Sequence, residues 1–342
     1  MATHAPFIPV QPPRTADWVS SWRGLFGERL RNTIYGWPEP AFDEFYRKRR
    51  ILGFTVHIVT DPDMVERVLL GNKENYLRPR IAQRILSPLI GNGLLSAEGE
   101  DWKKQRRIVA PTFAPGAVAK MSATIAAVAA RQTGGWLRGT IRTDMARAAT
   151  DATMHIIADT LFSSDARLTT RAAGEHIDNL VLASGQARIS TILGLQDLDI
   201  SPVMARARRG RVYLRSTLTA LVRERGPTGG ADDFFGGLIR SLYEQFPAAQ
   251  AEALAVDNAI TFYVAGHETT ANALAWTMYL LAAQPWLQEE ARAEAVMALD
   301  GDIETLADRL PLLWEFPGGR AEEGETDAAA RDAAFQEVCK AT

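Results

Sequence analysis

The sequence predicts a mainly α-helical protein with a small β-sheet near its N-terminus. From Asp101 onward, Ala- and Arg-rich stretches place apolar residues three and four apart, the period of a helix with one buried face. Before them, in "RRILGFTVHIVTDPDMVERVLL", Phe54, Val56 and Ile58 alternate with Thr55, His57 and Val59, which suggests a short strand pair. Past Leu310 the helical period stops, and "PLLWEFPGGRAEEGETDAAARDAAFQEVCKAT" substitutes Pro-Gly-Gly and a run of acids.

In chain order, residues 1–37 form an N-terminal segment. Its opening, "MATHAPFIPVQPPRTADW", has no basic segment followed by an apolar run, so a secretory signal is not expected and the protein reads as cytoplasmic. Trp18, Trp22, Leu25 and Phe26 read as a cap on the domain, with a membrane-surface contact as the alternative. The strand pair ends at Asp61-Pro62, where a helix starts. In "GLLSAEGEDWKKQRRIVAPTFAP", Glu100 and Asp101 favour a helix start, and Trp102 and Arg106 follow four apart on one face. "DATMHIIADTLF" is an apolar helix that takes His155 into the core. "RERGPTGGADDFFGGL" is the densest Gly and Pro punctuation and reads as a surface loop ending at Asp232 or Asp233 as a helix cap. The longest apolar stretch, Ala259 to Ala283, is interrupted by His267, Glu268 and Asn272, so a buried helix is expected and not a membrane span.

Composition narrows the function. A net charge of -3 with 23% charged residues leaves no nucleic-acid footprint, so a small molecule or a protein is the expected partner. Cys339 is the only cysteine, which rules out an internal disulfide.

The central helix carries the chemistry. In "VAGHETTANALAW", Gly266 costs about 0.5–1 kcal/mol relative to Ala in mid-helix, so something is expected to approach the backbone there. Thr269 and Thr270 can bond back to carbonyls one turn earlier and distort the helix, and Glu268 places a carboxylate beside them. These residues outline a proton-delivery site; the competing reading is a core helix whose Gly serves helix packing. Trp102 and Arg106 likewise combine an indole donor and a guanidinium suited to a carboxylate or phosphate, against the reading of a solvated basic helix anchored by its Trp.

Ala265-Gly266-His267-Glu268-Thr269-Thr270, within "DNAITFYVAGHETTANALAWTMYLLAAQP", resembles the long central helix of the cytochrome P-450 monooxygenases. Trp102-x-x-x-Arg106 followed by "RIVAPTF" is similar to that family's helix that grips the haem propionates, and the likeness runs over roughly Pro38 to Leu310. The resemblance implies a P-450-like helical fold over 38–311 and haem b as cofactor, contacted by Trp102, Arg106, Ala265, Gly266 and Thr270. It implies Glu268 and Thr269 as the pair that manages protons for dioxygen, with His267 pointing away from the haem. It implies an apolar small-molecule substrate, contacted in part by "LRPRIAQRILSPLIGNG", Phe262, Ala265 and Thr269, and a separate ferredoxin or flavoprotein as electron donor.

The resemblance stops short of the C-terminal haem-ligand region. The family's loop Phe-x-x-Gly-x-Arg-x-Cys-x-Gly would have to align on Cys339, where Asp332, Phe335, Glu337 and Ala341 all depart from it, and no Glu-x-x-Arg follows Leu310. The tail 312–342 instead opens like a Nudix hydrolase box, with Gly319 and Glu325 at its spacing, but Ala333, Ala334 and Val338 stand where further box residues belong. A divalent cation therefore lacks ligands there, and no metal site is expected. The expectation is a truncated P-450-family protein, inactive as this chain, with a Nudix-type hydrolase or a non-catalytic helical relic as alternatives.

Overall fold

The computed structural model describes residues 14–17, 38–51, 54–114, 116–117, 120–136, 142–185, 195 and 198–298. In chain order the elements are β1 (Tyr46–Ile51), β2 (Phe54–Val59), α1 (Arg80–Ile90), α2 (Gly99–Val109), α3 (Ser122–Thr133), α4 (Met145–Leu161), α5 (Arg171–Gly185), α6 (Pro202–Arg225), α7 (Phe234–Gln245), α8 (Ala248–Ala283) and α9 (Pro285–Ala298). The helical and strand periods are thus met, with the strand pair where alternation places it. Among the described residues the chain divides into two compact units, one built from Glu98–Gly174 and from Arg215 onward, the other from residues before Glu98 and from Glu175–Leu214.

In the second unit β1 and β2 pair antiparallel, with Tyr46 opposite Val59 and Ile51 opposite Phe54. The Asp61 carboxylate accepts the Met64 amide at 2.8 Å, and Pro62 occupies the first helical position of the turn that follows. Both are the helix-start devices that Asp61-Pro62 predicts.

The first unit is organised around α8, 36 residues or roughly 54 Å long. Every residue from Leu254 to Thr261 is buried, so this stretch of the helix is enclosed on all sides. Phe162 packs edge-on against Phe235 and Tyr263, with ring centroids 5.1 and 6.0 Å away, and the Tyr263 hydroxyl donates to the Leu168 carbonyl. The start of α7 is capped by Asp233, the second of the two candidate aspartates, which accepts the Gly236 amide at 2.7 Å. The same carboxylate accepts from Arg225 at 2.6 Å and from Ser163, tying the ends of α4 and α6 to α7. Burial pushes this carboxyl up, but the bonds from Arg225, Ser163 and Gly236 outweigh it and hold Asp233 below the usual carboxylate range. Gly229, at φ 77, allows the loop to lie on this helix start, because a Cβ there would overlap the Gly236 carbonyl.

Candidate functional site

Beyond Val264 the environment of α8 changes. Ala265, Thr269, Ala273 and Thr277 are exposed at four-residue spacing, so a stripe along this part of the helix is open. The stripe is made of small side chains, alanine and threonine. Thr269 Oγ1 donates to the Ala265 carbonyl at 2.7 Å, the back-bonding that its sequence position predicts, and Thr277 repeats it on Ala273 at 2.8 Å. With its hydrogen so engaged, the Thr269 hydroxyl presents its lone pairs to the open side. Glu268 is half-buried next to it. Thr270 is exposed and, among the described residues, makes no matching back-bond.

Two expectations for this helix change. The distortion anticipated over Gly266 to Thr270 is not seen as a break: α-helix runs unbroken from Ala248 to Ala283. The close neighbour that the size of Gly266 calls for is Ile157 of α4, whose Cδ1 would lie 2.6 Å from a Cβ added there. Its missing side chain therefore serves the approach of two helices, the packing alternative left open by the sequence. His267 faces away from the open stripe, as its variable place in the motif suggests. It is 2% exposed, and neither ring nitrogen has a partner among the described residues. Burial alone lowers its pKa to about 4, so the ring is neutral. Its backbone carbonyl accepts from the Thr153 hydroxyl at 2.9 Å, a second tie between α4 and α8. His155, expected in the core, is half-buried on α4.

The second part of the site is α2, whose first turn holds Glu100 and Asp101 where they complement the helix dipole. Arg106 lies with its guanidinium carbon 5.4 Å from the centroid of the Trp102 ring, so the predicted pair does share a face and stacks as cation on π. Arg106 is exposed, leaving its donors able to meet a carboxylate. Between the two in sequence, Gln105 turns the other way. It is 1% exposed, and its Oε1 accepts from Asn258 Nδ2 of α8 at 2.8 Å. A second contact joins this segment to α8: the rings of Phe113, Phe234 and Phe262 form a triangle with centroids 5.1 to 5.9 Å apart. Sequence reasoning missed Gln105 and Asn258. The available signal was a polar residue in each of two otherwise apolar faces, which by itself names no partner.

Gly319, Glu325 and Cys339 lie outside the described residues, as do Trp18 and Trp22. Among the described residues no cluster of His, Cys, Asp or Glu could hold a metal ion, and no helix is long and apolar enough to cross a membrane.

Comparison with known proteins gives a consistent family. The family model described as Cytochrome P450 matches residues 44–313. The chain is 30% identical over 284 residues to a cyclooctat-9-en-7-ol 5-monooxygenase of Streptomyces melanosporofaciens, covering 78% of this chain and 61% of that protein. It is 28% identical over 317 residues to cytochrome P450 714D1 of Oryza sativa subsp. japonica, covering 84% and 50%. Among solved structures, a retinoic acid-bound cyanobacterial cytochrome P450 superposes with a TM-score of 0.61 at 17% identity, covering 84% of this chain and 63% of that one, a likeness of fold. The chain thus spans between half and about three-fifths of the length of these curated relatives.

Proposed function

This chain belongs to the cytochrome P450 family, and from that premise we propose that it carries the oxygen-handling and propionate-binding parts of a haem-dependent monooxygenase that inserts one atom of dioxygen into an apolar small molecule. The observation that carries the reading is the open stripe of α8, where the Thr269 hydroxyl is held on the Ala265 carbonyl at 2.7 Å beside Glu268. Haem b is the cofactor of the family, and when bound it supplies the activation of dioxygen and the electron storage that side chains cannot. The residues present fit it in chemistry: Trp102 and Arg106 offer donors to its carboxylates, while Ala265 and Thr270 are small and open on α8. In this reading these residues hold the group, with the backbone at Gly266 beside them. Thr269, its own hydrogen engaged, accepts a hydrogen bond from an incoming proton carrier, and Glu268 is the carboxyl that resupplies the proton.

The substrate is read as apolar, contacted by Phe262, Ala265 and Thr269 of α8. The electrons come from a separate ferredoxin or flavoprotein, in a cytoplasmic setting. Thiolate ligation requires a cysteine in a supporting loop, and Cys339 has none of the family's neighbours, so this chain alone is proposed not to reach the thiolate-ligated state.

The test is haem titration of the purified chain, followed by reduction and exposure to carbon monoxide. Saturable uptake without the red-shifted Soret band of thiolate ligation, weakened about tenfold or more by Arg106→Ala, is the expected result. Absence of any saturable uptake would overturn the cofactor assignment. The red-shifted band at one haem per chain, lost in Cys339→Ala, would instead make this chain a complete enzyme with an unorthodox ligand.

A further inference from the structure

We infer that Gln105 and Asn258 are a positioning pair that sets the axial register of α2 on α8, and with it the separation between the Trp102–Arg106 edge and the Ala265–Thr269 stripe; the functional consequence rests on the haem reading above. Gln105 immediately precedes Arg106 and lies three residues after Trp102, so whatever fixes Gln105 fixes both. Asn258 is held twice through its amide nitrogen. Its Nδ2 donates to Gln105 Oε1 at 2.8 Å and to the Leu254 carbonyl of its own helix at 2.9 Å, which uses both amide hydrogens and fixes the side chain. It is 0% exposed and stands seven residues before Ala265, two turns along the same face or roughly 10 Å away.

An apolar pair could fill this space equally well. Apolar packing is nearly non-directional, however, and tolerates a small slide of one helix along another, whereas two buried amides have one satisfied alignment. Sliding α2 along α8 would strip a buried donor and acceptor of each other with no water to replace them. The Phe113, Phe234 and Phe262 triangle closes the same interface about one turn further on, but by ring contacts that fix proximity more than register. A rigid group touching both α2 and the α8 stripe is sensitive to this register, since a misplacement of about 1 Å at a reacting centre can cost ~100-fold.

Two measurements on the full chain decide it. With Cys339→Ser, spin labels on Lys103→Cys and Ala273→Cys report the distance between α2 and α8. One narrow distance is expected in the parent, a displaced or broadened one in Asn258→Leu and in Gln105→Leu, and recovery in the reciprocal exchange Gln105→Asn with Asn258→Gln. Haem titration is expected to weaken about tenfold in each leucine variant, with the double variant no worse than either single one. If Asn258→Leu does not fold, Gln105→Met keeps the volume, removes the acceptor and gives the same reading. Unchanged distances in folded variants, or losses that simply add, would overturn the pair. A parent chain that takes up no haem would overturn the cofactor reading instead, and the distance measurement would still decide the positioning.

Discussion

His267 bears a cost that its neighbours on α8 do not. Asn258 and Thr261, equally enclosed, have their hydrogen-bonding groups met within 3 Å, while both nitrogens of His267 are buried without a partner among the described residues. Replacing it with a similar apolar volume removes an unmet polar group, so His267→Leu is expected to raise stability by about 1–2 kcal/mol in urea denaturation at pH 7.5. The pH dependence has a definite sign. The folded value is depressed from the ordinary 6.5 to about 4 by desolvation, so as pH falls through that window the unfolded chain takes up a proton that the folded chain refuses. Stability is therefore lost toward acid, by about 3 kcal/mol across the whole window from this residue. Denaturation curves from pH 7.5 to 4.5 should fall more steeply for the parent than for His267→Leu; parallel curves would show that the ring titrates normally.

Helix against helix, α4 and α8 meet where a side chain is missing. A Cβ on Gly266 would fall 2.6 Å from Ile157 Cδ1 and 3.1 Å from its Cγ1, while alanine would favour the helix by up to about 1 kcal/mol. The clash is with the end of the half-buried Ile157 side chain, which must leave its place to make room, so Gly266→Ala is expected to cost about 1 kcal/mol net. Ile157→Val deletes the offending methyl. The double variant should therefore be more stable than the sum of the singles, and simple additivity would mean that Gly266 is small for another reason. The same pair marks what was legible beforehand. Period and punctuation placed β1, β2, α2, α7 and α8, and the Thr269 bond to Ala265 followed from a spacing of four. Asp233 as cap was one of two adjacent choices. The partners were not legible, because Thr153 meets the His267 carbonyl across 114 residues and Asn258 meets Gln105 across 153. A period tells which face of a helix is covered and is silent on what covers it.

For the whole molecule, the relevant fact is that each compact unit is assembled from separated stretches of chain. The first unit takes α2 and α4 from one side of the intervening segment and α7 and α8 from the other, and α8 supplies the largest share of its enclosed residues. A chain ended after Gln245 keeps α2, α4 and α7 but loses the helix on which α4 and α7 chiefly pack. It is expected to lose the cooperative urea transition of the full chain while retaining helical circular dichroism, and a sharp transition at the original midpoint would show that α8 is dispensable. This ordering also has a consequence in time. At roughly 5–20 residues per second, ribosomal synthesis delivers Asn258 about 8–30 s after Gln105, a separation of 153 residues. For that interval the apolar side of α2 has been made while α8 has not, so the nascent chain is a client for whatever holds such faces in the cell until α8 arrives.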